Sequence, residues 1–509
     1  MKQKILPLAL WDVMALAAFS RALPPLKFLQ GMITGSIALM TPGLLTAEEG
    51  DGKGRSPNII LIMADDLGWK ELGCYGQEKI KTPHIDRLAA EGMRFTQFYA
   101  GSAVCAPSRC NLMTGMHGGH AYIRNNGEIK NTIPNRFAGQ APLLETAPSI
   151  AKTLKAEGYA TACFGKWGLG GQGTTGDPLR QGFDRFYGYN CQRNAHNLYP
   201  EYLEDDAGIH ELEGNQRGQT GKQYAPQLIA DRVMDFVREN SDRPFFLYYP
   251  TVIPHLPLQV PEADLAQYQG KWQETSYHAG SYQSHATPKA CYAAMISFMD
   301  RQVGRLMTLL KELEQEDNTL VLFTSDNGTT ALKGQVDAVF FHSVGHLRGL
   351  KGQLYEGGIR VPLIARWPER IKAGTTSDLM AAHYDLPATL ADVAGTVFEE
   401  QSDGISMLAT FLGKDARQQK HAHLFWDFAG YGGQLAVRMG KWKGIKRGLS
   451  RNPDAPLQLY NLEEDGGEKQ DLVRKHPDIA KHIESLMLSE RTVPAVEKFR
   501  FGRYGSDAE

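Results

Sequence analysis

One segment of the sequence, residues 105–115 (CAPSRCNLMTG), places a cysteine close to an arginine within a predicted helix. Pro107 is typical of the first turn of a helix and Gly115 of the position after its end, so Cys105 is expected at the helix N-terminus. The free N–H groups and the dipole there favour an anion, and Arg109, one turn along, adds further donors. The segment predicts a nucleophile facing an oxyanion pocket, with a small buried cysteine that packs a helix start as the alternative.

Carboxylate and amide side chains follow two short apolar runs elsewhere in the chain. Asp65 and Asp66 come directly after one run, and Asp326 and Asn327 come shortly after another. Taken alone, each pair is also typical of a solvated turn, because Asp and Asn form local hydrogen bonds there. Together they are a set of hard oxygen ligands, which suits Ca²⁺ or Mg²⁺ and suits zinc poorly. The two pairs predict a divalent-cation site if the turns lie side by side.

These side chains need strands to position them. After residue 54 the chain alternates short apolar runs with helical patterns, which predicts βαβ units and a mainly parallel sheet. Four runs end in a polar group: residues 59–64 before Asp65, 160–164 before Lys166, 245–249 before His255 and 320–323 before Asp326. Between the last two, apolar residues from 292 to 313 keep a helical period. Ligands of open α/β sheets bind beyond the carboxyl ends of the strands, so the four endings are expected in one cleft.

Composition and charge exclude several classes of protein. The chain has 509 residues, with 55 Lys and Arg against 57 Asp and Glu, a formal net charge of -2. That balance gives no basic field for nucleic acid, so any anion must be bound by a local site. Six cysteines in such a length are too few for a disulfide scaffold, they show no metal-type CxxC spacing, and their pairing cannot be read from sequence.

The cysteine segment, read as Cys-x-Pro-Ser-Arg-x-x-Leu-x-Thr-Gly, resembles the signature of the formylglycine-dependent sulfatases of the alkaline phosphatase superfamily. The resemblance covers most of the chain after residue 55, in eight segments that follow the family's order: 58–68, 82–88, the cysteine segment, 165–170, 325–328, 354–362, 440–443 and 459–462. It implies an α/β fold with a mostly parallel central sheet sandwiched by helices, as in alkaline phosphatase and the sulfatases, and a smaller C-terminal antiparallel-sheet subdomain.

The resemblance also implies a set of site residues. Cys105 would be oxidised to formylglycine (3-oxoalanine) by a formylglycine-generating enzyme or an anaerobic maturase, and the aldehyde would hydrate to a gem-diol. One Ca²⁺ per chain would be held by the residues that match the family's ligands: Asp65, Asp66, Asp326, Asn327 and one oxygen of the modified Cys105. The sulfate and the gem-diol would be contacted by Arg109, Lys166, His255 and Lys351.

These residue types suit hydrolysis of a sulfate monoester. A cation together with Arg109, Lys166 and Lys351 would neutralise the peripheral oxygens of the sulfate. One hydroxyl of the diol would attack sulfur, with His255 as the candidate general acid for the departing alcohol. The second hydroxyl would lose its proton, and collapse to the aldehyde would expel sulfate. Polar loops at residues 170–225 and 262–288 suit hydrogen bonds to a sugar, so a sulfated carbohydrate is the expected substrate, with an aryl sulfate as the alternative.

One position departs from the family pattern. Many sulfatases carry a histidine two residues after the lysine that corresponds to Lys166, and Gly168 stands there in this chain. The base that acts on the diol is therefore unassigned. We hypothesise that His196 supplies an imidazole from another loop, with substrate binding or a structural role as alternatives. His117 and His120, just after the cysteine helix, are weaker candidates for lining the pocket.

The N-terminal residues 1–47 are typical of a secretory signal. Lysines precede an apolar stretch, and a second stretch at residues 28–45 ends near Ala47 before acidic residues. We expect export to the periplasm, the cell surface or the medium, with no stable membrane span in the mature protein; an uncleaved anchor and a cytosolic apolar tail are the alternatives. The remainder is expected to divide into a catalytic domain, residues 48–415, and a C-terminal subdomain, residues 416–509.

Two other functions stay open at the level of sequence. A phosphonate or phosphodiester hydrolase of the same superfamily can share the Cys-x-Pro-Ser-Arg string. A catalytically silent glycan-binding protein would keep Cys105 as a thiol, and Gly168 would then mark the loss of the base.

Overall fold

The computed structural model describes residues 55–505 except 129–139, 279, 281, 331–333 and 400. The signal or anchor predicted at residues 1–47 lies outside this range and stays a prediction. Within the range, no helix has both the length and the apolar character needed to cross a bilayer.

Strands form both sheets predicted from the sequence, and two of them form a third, two-stranded sheet. In the described residues they are β1 Asn58–Ala64, β2 Met93–Phe95, β3 Phe98–Tyr99, β4 Ala160–Lys166, β5 Arg185–Tyr189, β6 Tyr202–Asp205, β7 Gly208–Glu211, β8 Phe245–Pro250, β9 Thr319–Ser325, β10 Leu363–Arg366, β11 Thr375–Ser377, β12 Ala381–Ala382, β13 Leu424–Phe428, β14 Gln434–Met439, β15 Trp442–Arg447 and β16 Gln458–Asn461.

The large sheet has ten strands in the order β11-β2-β10-β9-β1-β8-β4-β5-β6-β7. Its centre, from β9 to β5, is parallel, while β10 runs antiparallel to β9 and β2, and β6 and β7 form an antiparallel edge. Strands β1, β4, β8 and β9 are buried along their whole length, as expected for parallel strands covered on both faces. The four predicted apolar runs correspond to these strands.

Helices cover both faces of this sheet. The α-helices of the described residues, including α10 of the C-terminal region, are α1 Pro83–Ala90, α2 Cys105–Thr114, α3 Ile150–Ala156, α4 Ala225–Glu239, α5 Glu262–Leu265, α6 Pro288–Glu312, α7 Glu356–Ile359, α8 Asp385–Val393, α9 Leu408–Phe411 and α10 Pro477–Ser489. Successive side chains of a strand point to opposite faces. Ile60 and Ile62 of β1 accordingly pack in one core with α4 and α6, and Ile59 and Leu61 pack in the other with α2, α3 and α8. The predicted sandwich is confirmed.

The C-terminal region forms a separate antiparallel sheet in the order β13-β14-β15-β16, with α10 packed on β14 and β15. This confirms the predicted small sheet. The predicted boundary between residues 415 and 416 falls between α9 and β13 and stays a prediction.

The sequence interpretation overlooked the edges of the large sheet. Residues 170–225 were expected to be loops, but they contain β5, β6 and β7. Strand β7 is largely exposed, so it lacks the apolar alternation that marks a half-buried strand.

Candidate active site

The carboxyl ends of β1 and β9 bring the predicted metal ligands together. The strands are parallel, and Ala64 pairs with Ser325, so the residues that follow each strand are neighbours. The backbone N–H of Asp66 donates to Oδ1 of Asp326 at 3.0 Å, and Nδ2 of Asn327 donates to Oδ1 of Asp66 at 2.8 Å. Asp66 has a φ of 65°, a strained backbone conformation of a kind that is concentrated at functional sites.

Cys105 lies at the first residue of α2, as the sequence predicts, and faces this carboxylate group. Its Sγ is 3.5 Å from Nζ of Lys166, 3.5 Å from Nζ of Lys351 and 3.6 Å from Oδ1 of Asp65. Burial raises the pKa of the Cys105 thiol to about 12, although the two ammonium groups act to lower it. Helix α2 ends at Gly115, whose φ is 69°, as its sequence position predicts.

The two lysines are held by two different carboxylates. Nζ of Lys166, which is fully buried, lies 2.6 Å from Oδ2 of Asp65. Nζ of Lys351 lies 2.6 Å from Oδ1 and 2.7 Å from Oδ2 of Asp66, and this side chain keeps 13% exposure. The ammonium groups therefore approach Cys105 along with the carboxylates that fix them.

Arg109 points its donors at protein groups. Its Nε and Nη2 donate to Oδ2 of Asp326 at 3.2 and 2.8 Å, Nη2 lies 3.5 Å from Asp65, and Nη1 donates to the backbone carbonyl of Lys166. Such a forked guanidinium fixes planar carboxylates more firmly than a lysine does. With these contacts, Arg109 orients the acidic side chains.

The electrostatics of the acidic group fit a bound cation. Burial acts to raise the pKa of Asp65, but Lys166, Arg109 and Lys351 outweigh it and hold the pKa at about 2. Burial raises the pKa of Asp66 to about 6, with the neighbouring carboxylates adding to the rise. The Oδ1 atom of Asn327 is buried and has no hydrogen-bond partner among the described residues. An unpaired buried oxygen beside three carboxylates is a donor set for a hard divalent ion.

His255 and His196 lie together on one side of Cys105. Nδ1 of His255 donates to the carbonyl of Leu256 at 2.6 Å, since a carbonyl oxygen only accepts, and Nε2 lies 3.6 Å from Asp66. The rings of His196 and His255 stack with their centroids 5.2 Å apart, and the ring of Tyr282 contacts both. Burial, with Lys166 and Lys351 nearby, lowers the pKa of His196 to about 3, and burial lowers that of His255 well below its usual value.

The backbone conformation at position 168 disfavours a side chain. Gly168 has a φ of 78°, which favours glycine, and a Cβ there would lie 2.9 Å from Nε2 of Gln192. The side chain of Gln192 therefore occupies the space next to this position. His196 instead stacks on His255, near the ammonium groups of Lys166 and Lys351.

Three residues near the site were missed by sequence reasoning. Tyr282 belongs to a loop that was described only by its polar composition, and Gln192 carries no titratable group. His383 accepts or donates a hydrogen bond at 3.0 Å with Oγ of Ser108, and burial lowers the pKa of His383 to about 4. No motif marks His383, because the contact joins residues 275 positions apart.

His117 and His120 do not join the group around Cys105. Their rings stack on each other with centroids 4.3 Å apart. In the described part of the chain their acidic partners are Asp403 and Glu490. The prediction that they line the pocket has no support in this geometry.

The fold and the grouping of these side chains define a member of the alkaline phosphatase superfamily. The chain belongs to the sulfatase family, whose members are sulfuric ester hydrolases. The family model described as Sulfatase matches residues 57–396, and the one described as N-sulphoglucosamine sulphohydrolase, C-terminal, matches residues 350–492. The family and fold class expected from the sequence are confirmed.

Known relatives match this chain over nearly its full length. Human arylsulfatase A is 32% identical over 498 residues, which cover 90% of this chain and 92% of the relative. The N-acetylgalactosamine-6-O-sulfatase of Bacteroides thetaiotaomicron is 28% identical, over 90% of this chain and 97% of the relative. The solved structure described as Ps i-CgsB in complex with k-i-k-neocarrahexaose is 28% identical, with a TM-score of 0.70, and the match covers 89% of this chain and 96% of that one.

Proposed function

We propose that this sulfatase hydrolyses a sulfate monoester on a sulfated carbohydrate, using a formylglycine made from Cys105 and one bound Ca²⁺. The observation that carries the proposal is the position of Cys105, at a buried helix N-terminus with two ammonium groups 3.5 Å from its Sγ. The carbohydrate class is supported by the relatives, one named for N-acetylgalactosamine 6-O-sulfate groups and one solved with a neocarrahexaose.

The modified side chain and the lysines have separate tasks. When formed, the hydrate of formylglycine supplies one hydroxyl as nucleophile and a second whose deprotonation lets sulfate leave. Lys166 and Lys351 hold positive charge against the reacting group in a pocket that excludes water, where charge stabilises the transition state most. Modification would require a formylglycine-generating enzyme or an anaerobic maturase as a partner.

The metal would be held by Asp65, Asp66, Asp326 and Asn327, with the modified residue 105 alongside. Ca²⁺ there would act as a Lewis acid on the sulfate oxygens. Arg109 fixes Asp326 and, through the carbonyl of Lys166, the end of β4. The unpaired Oδ1 of Asn327 is the feature of this chain that most directly supports the assignment.

Adding Ca²⁺ to chelator-treated protein is expected to raise its stability, because the ion compensates three buried carboxylates. A ligand at 100 times its dissociation constant stabilises a folded protein by about 2.7 kcal/mol. Thermal unfolding at increasing Ca²⁺ measures the shift without any activity assay. Asn327→Ala should need more Ca²⁺ for the same shift, whereas Asn318→Ala, a half-buried control just before the start of β9, should not. A melting temperature independent of Ca²⁺ contradicts the metal assignment.

Replacing His255 with Asn is expected to lower kcat for a sugar sulfate by about 10²-fold. With its lowered pKa, His255 is neutral before substrate binds, and under the proposal it takes up a proton on Nε2 when the anionic ester binds, so the variant loses general-acid assistance to a poor leaving group. The loss should be smaller for 4-nitrophenyl sulfate, whose phenol departs without a proton. Equal losses on both substrates would assign His255 to sulfate binding instead. His196→Ala provides the comparison for the proposed base: if turnover and affinity are both intact, His196 has neither role.

Comparing aryl esters of sulfate and phosphate tests the proposed function as a whole. We expect faster hydrolysis of 4-nitrophenyl sulfate than of the matching phosphate, phosphodiester or phosphonate. Faster phosphoester or phosphonate turnover by orders of magnitude would support the rival hydrolase. No turnover of any ester, with Cys105 still a thiol, would support the glycan-binding alternative. Export is part of the proposal, and an N-terminus near residue 48 in protein from its host would support it.

A further inference from the structure

Tyr431 is an aromatic side chain left in solvent beside the active site. It lies in the glycine-rich turn between β13 and β14, and its side chain is 72% exposed. The other large apolar side chains that are exposed in the described residues are aliphatic. A ring this exposed contributes little to the stability of the fold, since it buries little apolar area.

The backbone of this turn holds the ring at a conformational cost. Tyr431 has a φ of 50°, which is uncommon for a residue with a bulky side chain, while glycines at positions 430, 432 and 433 flank it. A fourth glycine would adopt this conformation without strain. The tyrosine therefore occupies a backbone position at which glycine would be less strained. Residues held in such conformations are concentrated at functional sites.

The ring rests against the backbone that carries a catalytic candidate. A Cβ at Gly352 would lie 3.0 Å from Cζ of Tyr431, so the ring packs directly on that glycine. Gly352 follows Lys351, whose Nζ is 3.5 Å from Sγ of Cys105. The N–H of Gly352 donates at 2.8 Å to the carbonyl of Ala103, two residues before Cys105. Residues 351–352 therefore lie between the ring of Tyr431 and Cys105, and they are hydrogen-bonded to the segment that leads into Cys105.

We propose that Tyr431 is a stacking platform for a sugar ring next to the unit that carries the sulfate ester. The C–H face of a pyranose is apolar and its hydroxyl groups point sideways, so a flat aromatic ring binds that face while the hydroxyls stay in water. The inference rests on the proposed function, and it makes the substrate an oligosaccharide or polysaccharide. A lone sulfated monosaccharide or an aryl sulfate would not reach the platform.

The test compares two kinds of substrate in four proteins. Tyr431→Asn removes the ring but tolerates the positive φ, Tyr431→Phe keeps the ring, and Val397→Asn changes another exposed apolar residue, 60% exposed in the native chain. The substrates are 4-methylumbelliferyl sulfate, a chondroitin sulfate tetrasaccharide and a kappa-carrageenan hexasaccharide. The measured quantity is kcat/KM for each oligosaccharide divided by kcat/KM for the aryl sulfate.

We expect Tyr431→Asn to lower this ratio by about tenfold, chiefly through KM, and Tyr431→Phe and Val397→Asn to keep it within about twofold. An unchanged ratio in Tyr431→Asn overturns the platform alone. Turnover of the aryl sulfate without turnover of either oligosaccharide overturns both the platform and the carbohydrate substrate. Failure to hydrolyse any sulfate ester overturns the proposed function itself, so the three failures are distinguishable.

Discussion

Cys105→Ala is expected to lower the turnover of a sulfate ester by at least about 10⁴-fold while leaving the fold intact. Loss of a covalent nucleophile removes the reaction path, and the residual rate then depends on the remaining charges alone. The side chain is 1% exposed and small, so its truncation leaves only a small cavity. Initial rates with 4-methylumbelliferyl sulfate and a melting temperature measured on the same sample separate the chemical effect from the structural one.

Cys110→Ala is the matched control for that variant. Cys110 lies in the same helix and is also buried, but its side chain packs in the apolar core between α2 and the large sheet. We expect near-native activity and a modest loss of stability. Mass analysis of the tryptic peptide of residues 95–109 completes the experiment, because formylglycine replaces the sulfur and two hydrogens of cysteine with one oxygen. A thiol at position 105 in fully active protein from its host contradicts the mechanism.

Lys443→Met is expected to cost roughly 3–5 kcal/mol of unfolding free energy, the range for breaking a buried ion pair from one side. Nζ of Lys443 in β15 lies 2.8 Å from Glu356 and 3.1 Å from Glu468, and all three side chains are fully buried. Without the ammonium group, Glu356 keeps Arg360 as its partner, while Glu468 is left beside it as an uncompensated carboxylate in a buried site. Burial already raises the pKa of Glu468 to about 7, so protonation of Glu468 limits the loss.

Urea unfolding monitored by tryptophan fluorescence measures this cost. Lys441→Met, two residues away and exposed, should stay within about 0.5 kcal/mol of the native chain. Adding Glu468→Gln to Lys443→Met should restore part of the loss, because one uncompensated carboxylate is removed. If the double variant is no more stable than the single one, the ion pair is not the cause. Glu356 begins α7, five residues after Lys351. We therefore also expect Lys443→Met to lose its activity at a lower urea concentration than the one at which its tryptophan fluorescence changes.

The parts of the site that the sequence predicts are those with a local signal. Apolar runs that end in Asp or Lys indicated β1, β4 and β9, because a strand that is buried on both faces has apolar residues at successive positions. Helix α2 is buried on every side, so no amphipathic period marks it, and Pro107 and Gly115 gave its limits instead. Short apolar runs also predict strands at residues 421–427, 435–438 and 442–445, which correspond to β13, β14 and β15 within a few residues, whereas β16 was not predicted as a strand.

The remainder depends on contacts that no local pattern records. The carboxylate partner of Arg109 and the ion pair of Lys443 join residues 217 and 87 positions apart. In a short stretch of sequence these residues are recognisable only as charged side chains, and charged side chains are usually exposed to solvent. Likewise, Tyr431 lies in an ordinary turn sequence, and only the folded structure shows that its ring contacts Gly352.

Cys105 and Lys351, which lie together in the folded protein, are synthesised at different times. Lys351 follows Cys105 by 246 positions, and at about 5–20 residues per second a ribosome needs roughly 12–50 s to make that stretch. In the finished fold the Cys105 thiol is 1% exposed. Under the proposed function, an enzyme that converts Cys105 would therefore act most readily before Lys351 is in place, and slower translation between these two residues should then raise the fraction of active protein.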